Sequence, residues 1–245
     1  MRLQFLGCGD AFGSGGRFNT CFHVSAAGSA FLIDCGASSM IALRKFAVDP
    51  NGIASIFITH LHGDHFGGLP FFILDAQLVS RRTAPLTIAG PPGLAERLRV
   101  TMEALFPGSA AAERKFAVEI IELAEGERRV IGGVAVTPYP VRHACGAPPY
   151  ALRLECGGKT VAYTGDTEWT ETLVPAAREA DLFIAEAYFP DRKIRHHLDW
   201  RSLEPHLAEI RPKRLVLTHF SPEMLAQIAD LPVEAAEDGK VIEIA

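Results

Sequence analysis

The chain predicts a mixed α/β fold. Short apolar runs rich in β-branched residues stop at Gly, Pro, Asn or Asp, segments of helical period lie between several of them, and no unit of roughly 20–50 residues repeats. Arg2 to Leu6, Thr20 to Ser25 and Ala30 to Asp34 read as strands, followed by a helix from about Ser38 to Phe46. Gly7 to Asn19, between the first two strands, is too glycine-rich for a regular element. No helix opening on Gly-Lys-Ser/Thr follows it, which argues against a phosphate-binding P-loop. Ile53 to Ile58 reads as a buried strand and Leu69 to Val79 as a helix covering the sheet, ended near Arg81 and Arg82. Leu86 to Ala89 is a strand closed by Gly90-Pro91-Pro92-Gly93, with a helix from about Leu94 to Leu105 after it. Phe116 to Glu122, Arg128 to Ile131, Val134 to Val141, Tyr150 to Cys156 and Lys159 to Tyr163 then build a second sheet. Asp181 to Glu186, Leu215 to Thr218 and Lys240 to Ile244 complete the strands, with helices near Trp200 to Glu209 and Glu223 to Ala229.

At 245 residues the chain can bury a substantial core, and we read 1–245 as one domain. Its 48% hydrophobic and 22% charged residues are ordinary for a globular protein. The longest apolar-rich stretch, around Gly67 to Val79, is interrupted by Asp75 and Gln77 and is too short to span a membrane. Met1 to Gly7 begins directly as a strand, without the basic and apolar segments of a signal peptide, so a cytoplasmic location is expected. The five cysteines are an odd number without Cys-x-x-Cys spacing, which argues for buried thiols rather than disulfides or a thiolate site. A net charge of -5 without a run of Lys or Arg does not advertise a nucleic-acid surface.

The densest chemistry lies in Thr59-His60-Leu61-His62-Gly63-Asp64-His65-Phe66-Gly67-Gly68-Leu69-Pro70, directly after a buried strand. A helix cap needs one acceptor, not three imidazoles, so a metal is the better explanation. In an extended segment His60 and His62 project to one side, and a sharp turn at Gly63 would let Asp64 and His65 face a second position. Imidazoles with a carboxylate suit Zn²⁺ first, with Mn²⁺ or Fe²⁺ as alternatives.

The pattern His-x-His-x-Asp-His resembles the metal motif of the metallo-β-lactamase fold. The longer match, His-x-His-Gly-Asp-His-x-x-Gly-Leu-Pro, is similar to ribonuclease Z and its phosphodiesterase relatives. The resemblance extends from the first strand to Leu217-Thr218-His219-Phe220-Ser221-Pro222 and implies a four-layer αββα sandwich. Three further residues each end an apolar strand: His143 after Val134 to Val141, Asp166 after Val161 to Tyr163, and His219 after Leu215 to Leu217. Alone, each is more often a surface, hydrogen-bonded or turn-capping residue than a ligand. Their order matches the family's ligand order. The resemblance then implies that His60, His62 and His143 hold one metal, Asp64, His65 and His219 the other, and that Asp166 bridges them. It also places the loop from Phe12 to Arg17 near the metals.

Two divalent ions about 3.5–4 Å apart can share a hydroxide and stabilise both attacking and leaving oxygens. The expected activity is therefore dinuclear metal-dependent hydrolysis, foremost of a small phosphodiester. The leaving alkoxide needs a proton, and the resemblance assigns that role to His197 working with Asp64. Leu198-Asp199 stands where relatives carry Ser-Thr. His196 is out of register, His23 and His206 read as ordinary sheet and helix residues, and Arg192, Lys193 and Arg195 read as phosphate contacts or as a solvated charge run. The alternatives are tRNA 3′ processing of the ribonuclease Z type, hydrolysis of a lactone, thioester or sulfate ester, and a non-catalytic metal-stabilised binding module. Long ribonuclease Z inserts a basic tRNA-binding arm between the third metal His and the bridging Asp. Here Pro148-Pro149 and two strands fill that span, so nucleic acid is not the favoured partner, no membrane partner is expected, and a homodimer is left open.

Overall fold

The computed structural model describes residues 1–26 and 28–245. Strands β1 (Arg2–Gly7), β2 (Cys21–Ala26), β3 (Ser29–Ile33), β4 (Ser55–Phe57), β5 (Leu86–Gly90) and β6 (Val118–Glu122) lie in one sheet, so the Phe116 to Glu122 run expected in the second sheet instead pairs parallel with β5 in the first. A second sheet holds β7 (Arg129–Ile131), β8 (Val134–Pro140), β9 (Tyr150–Cys156), β10 (Lys159–Tyr163), β11 (Leu182–Glu186), β12 (Leu215–Thr218) and β13 (Glu234–Ala235). The chain then returns to the first sheet as β14 (Val241–Glu243), beside β1.

Both sheets are built alike. One side is an antiparallel meander, β14-β1-β2-β3 or β7-β8-β9-β10, and the other is parallel, β3-β4-β5-β6 or β10-β11-β12-β13. Parallel neighbours need long crossovers, and those crossovers carry the helices. In the first sheet they are α1 (Ser39–Lys45), α2 (Gly63–Phe66), α3 (Leu69–Leu78) and α4 (Leu94–Leu105). In the second they are α5 (Leu173–Ala177), α6 (Trp200–Leu203), α7 (Leu207–Ile210) and α8 (Pro222–Gln227).

Three apolar layers follow from this wiring. Phe5, Phe22, Phe31 and Phe57 of the first sheet pack against Leu152, Val161, Tyr163 and Val216 of the second. Phe22 meets Phe5 and Tyr163 edge to face at 4.9 and 5.0 Å, in the geometry aromatic quadrupoles favour. The outer face of the first sheet is sealed by Leu43, Phe72, Ile73 and Leu98 from its helices. Val174, Leu203, Ile210 and Met224 do the same for the second. Two sheets face to face with helices outside form the four-layer αββα sandwich.

The predicted helix from Trp200 to Glu209 is broken, because Pro205 lacks the N–H an α-helix needs. The chain tightens to a 3₁₀ turn at Glu204–His206 before α7. All five cysteines are buried free thiols, and no described helix is long and apolar enough to cross a membrane.

Candidate metal centre

Strand direction decides which loops can meet. β1 and β3 both pair antiparallel with β2, so they point the same way as β4. By the same reasoning β8 points with β10, β11 and β12. The loops after all of these strands leave the C-terminal edge, where α/β sheets place their sites. Those loops carry Asp10, Asp34, His60 to His65, His143, Asp166, His197 and His219, with Glu186 closing β11.

Register does the finer placement. Ile33 pairs with Phe57, which sets Asp34 beside Thr59, and Glu186 pairs with Thr218, which sets it beside His219. Asp34 and His219 both take left-handed backbone conformations, at φ 58° and 62°. Such strain in non-glycine residues concentrates where side chains must be aimed. The sharp turn expected at Gly63 is not what the chain uses. Gly63 opens the short helix α2, and one helical turn carries Asp64 and His65 to the second position. The glycines that have no room for a Cβ are others: at Gly36 one would stand 2.1 Å from the Asp64 carbonyl oxygen, at Gly68 2.3 Å from the Gly36 carbonyl oxygen, and at Gly67 2.5 Å from the Gly63 carbonyl oxygen. The closeness of Gly36 lets Cys35 N–H donate to His65 O at 2.7 Å and Ala37 N–H to Gly63 O at 3.0 Å, pinning α2.

Donor atoms of His60, His62 and His143 converge, and those of Asp64, His65, Asp166 and His219 form a second group. Asp166 lies between them. Its Oδ1 is 3.2 Å from His65 Nε2, and its Oδ2 is 3.5 Å from His219 Nε2, 3.9 Å from His60 Nε2 and 4.0 Å from His143 Nε2. Asp64 Oδ2 is 3.3 Å from His65 Nε2 and 3.2 Å from His219 Nε2. The structure thus brings all seven sequence-predicted ligands into one cluster, most of it buried and with His62 partly exposed.

Whether a metal fits can be read from the lone pairs. His143 Nδ1 donates to the His196 carbonyl at 2.7 Å, so its Nε2 is a lone pair, and that lone pair faces His62 Nδ1 at 2.9 Å. His65 Nδ1 donates to Asp34 Oδ2 at 2.7 Å, which leaves its Nε2 lone pair among the carboxylates. His60 Nε2 and Asp166 Oδ1 are buried without a hydrogen-bond partner. Converging lone pairs and orphaned buried acceptors are costly in a bare protein and suit cations between them. The cluster fits a dinuclear site.

Without a cation, protons fill the role. Burial disfavours charge on His65 and His219, but Asp166 and the neighbouring carboxylates outweigh it and raise both pKa values well above the usual imidazole range. Burial, aided by His65, pushes His60 far down. Burial alone would raise Asp64, yet the His65 charge and the His219 hydrogen bond hold it well below the carboxylate range. A cation entering this cluster would have to displace those protons, so its binding should weaken as pH falls.

His197 stands at the edge of the cluster, and its carboxylate partner is Glu186, not Asp64. Its Nδ1 pairs with Glu186 Oε1, while Asp64 is engaged with His65 and His219. Burial opposes charge on His197, but Glu186 prevails and raises its pKa. Glu186 is itself fixed by Thr167 N–H at 2.8 Å and Leu198 N–H at 3.2 Å. The departure at Leu198-Asp199 thus leaves the loop anchored, with Asp199 capping α6 through Ser202 N–H at 2.9 Å. Asp166, Glu186, His197 and His219 also form a third group of convergent donors.

The other histidines separate cleanly. His196 contributes its carbonyl, His206 stacks on Trp169 with centroids 3.6 Å apart, and His23 lies in β2. Arg192 is paired with Glu223 at 2.9 Å and lies over Phe189. Arg17 turns inward and donates to Ala236 O at 2.6 Å. Asp34 and Glu186 were missed as site residues, although each ends an apolar strand as the recognised ligands do. Asp34 takes Thr59 N–H at 2.8 Å and fixes the His65 tautomer. Asp34→Asn should therefore weaken metal binding about 10- to 100-fold. Chelator competition checks this, and an unchanged affinity would show that Thr59 and packing hold the ring unaided.

Two sheets in an αββα sandwich, with a His/Asp cluster for two cations at one shared edge, define a metallo-β-lactamase-fold, metal-dependent hydrolase. The family model described as Anti-Pycsar protein Apyc1 matches residues 1–240, and the chain belongs to that family. It is similar to ribonuclease Z of Mycobacterium sp. (strain KMS), 28% identical over 259 residues that cover 96% of this chain and 90% of the relative. Among solved structures it is similar to the short form of human tRNase Z, at 30% identity and a TM-score of 0.80 with both chains fully covered. It is also similar in fold to a diphosphatase of the PhnP family, at 19% identity and a TM-score of 0.79, covering 100% of this chain and 98% of that one.

Proposed function

We propose that the chain hydrolyses a small phosphodiester, using two divalent ions, zinc foremost, with His197 as the general acid. His60, His62 and His143 would hold one ion, Asp64, His65 and His219 the other, and Asp166 both. When bound, such ions supply a nucleophilic water at neutral pH and stabilise charge on the transferring oxygens. The observation that carries the reading is the buried Glu186 carboxylate paired with His197 beside Asp166 and His219. That pairing favours the protonated form of an imidazole facing the cavity, and a donor there would serve an ester whose alkoxide leaves poorly. Lactones and thioesters place less demand on such a donor.

Substrate size is inferred from two features. The cavity lined by His62, Asp64, Asp166, His197 and His219 has a volume of about 190 Å³. The chain between His143 and Asp166 runs back into the sheet as β9 and β10. A second reading, tRNA 3′ processing, is favoured by the ribonuclease Z relatives. The two are separated by assaying metal-loaded protein on bis(4-nitrophenyl) phosphate and on precursor tRNA. We expect turnover of the small diester with a KM little changed by salt, and feeble or no tRNA cleavage. Efficient single-site tRNA cleavage, with binding that collapses between about 50 and 200 mM salt, would replace the first reading by the second.

A further inference from the structure

We propose that Phe12 is a specificity-determining residue, stacking on a planar aromatic substituent of the ester at the mouth of the metal-site cavity. The inference rests on the small-phosphodiester reading above. Phe12 is 85% exposed, more than any other large apolar side chain among the described residues. A single exposed apolar residue ordinarily needs no explanation. This one lines the same cavity as His62, Asp64, Asp166, Tyr188, His197 and His219.

The loop that carries Phe12 is built to hold it there. Asp10 is buried, and its carboxylate takes Phe12 N–H at 3.2 Å, Ser14 N–H at 2.8 Å and the Ser14 hydroxyl at 2.6 Å. Asn19 Nδ2 donates to Asp10 O at 2.9 Å, and Gly9 N–H to Phe18 O at 2.7 Å, closing the base of the loop. Gly13 turns the chain at φ 67° immediately after Phe12. A backbone on such a support loses little freedom on binding, so the ordering cost of recognition falls on the ring's own rotation.

Cavity size says where the substrate must go. At about 190 Å³ it is smaller than the roughly 300–1,000 Å³ that encloses a drug-sized ligand. A phosphate fits among the His and Asp side chains, but a bulky substituent on it must extend past the rim. Most of the other lining groups are ionisable, so Phe12 offers the apolar face that such a substituent would meet. Aromatic rings take offset or edge-to-face neighbours, and a planar ring gains most from that contact. The site thereby favours aryl or nucleobase-bearing diesters over alkyl ones.

The test compares metal-loaded wild type with Phe12→Ala and Phe12→Trp on bis(4-nitrophenyl) phosphate and bis(2,2,2-trifluoroethyl) phosphate. The ratio of alkyl to aryl KM should fall about 5- to 100-fold in Phe12→Ala and be kept in Phe12→Trp, with kcat on the aryl diester little changed. An unchanged ratio in Phe12→Ala, or a loss shared equally by both esters, overturns the assignment. Calorimetry of phenylphosphonate against methylphosphonate binding provides a second readout that needs no turnover. Tighter phenylphosphonate binding that disappears in Phe12→Ala supports the role of Phe12, and equal binding of the two overturns it. If wild type with both metals hydrolyses neither diester, the small-phosphodiester reading fails, and calorimetry judges Phe12 by itself.

Discussion

Asp166→Ala is expected to strip the protein of bound metal and to take turnover down with it, by more than about 10²-fold. A side chain that merely orients a ligand is worth about 10- to 100-fold in affinity or activity, and Asp166 stands nearer the centre than that. Its two oxygens lie 3.2 to 4.0 Å from four imidazole nitrogens, two from each donor group. Removing the carboxylate leaves those imidazoles crowded around a gap without the negative charge that balances either cation. Elemental analysis and a diester assay on the same preparation check the result, with circular dichroism to establish that the variant is folded. Two tightly held metals and undiminished turnover would sink the bridging role.

His197→Ala should behave oppositely with respect to metal. The variant should retain both ions, because the two principal donor groups are complete without His197. It should still lose about 10²- to 10⁴-fold in kcat on an unactivated diester, the usual contribution of a positioned general acid. The loss should shrink for an ester such as bis(4-nitrophenyl) phosphate, whose leaving group departs without a proton. Equal losses on both would mean that His197 acts through structure. Loss of one metal would instead favour the third donor group, in which His197 joins Asp166, Glu186 and His219 as a ligand. Glu186→Gln should follow the same selective pattern more weakly, since it leaves the imidazole present but less firmly charged.

The candidate ligands were legible partly through a local signal and partly through their order along the chain, which matches that of the family they resemble. A buried strand has an apolar run, and a polar residue just past its end stands out against it, as at His60, His143, Asp166 and His219. The same signal was present at Asp34 and Glu186 and was passed over, because a lone carboxylate ending a strand looks like a cap. The turn at Gly63 was misread for a related reason. A glycine advertises backbone freedom, but only the packing around Gly36, Gly67 and Gly68 shows which glycines have no room for a side chain.

Residue order alone determined the alternation of strands and helices, the placing of the seven candidate ligands in segments that follow strands, and the mixed imidazole and carboxylate character of their donors. Those properties depend on side-chain period and residue chemistry within a few positions. Tertiary structure decided which carboxylate holds His197, which tautomer His65 adopts, and that an exposed phenylalanine after β1 faces the same cavity as residues from β10 to β12. These are contacts between segments far apart in the chain. They exist because strand direction brings all those loops to one edge and parallel register sets which side chains stand abreast, and neither is written in any short stretch of sequence.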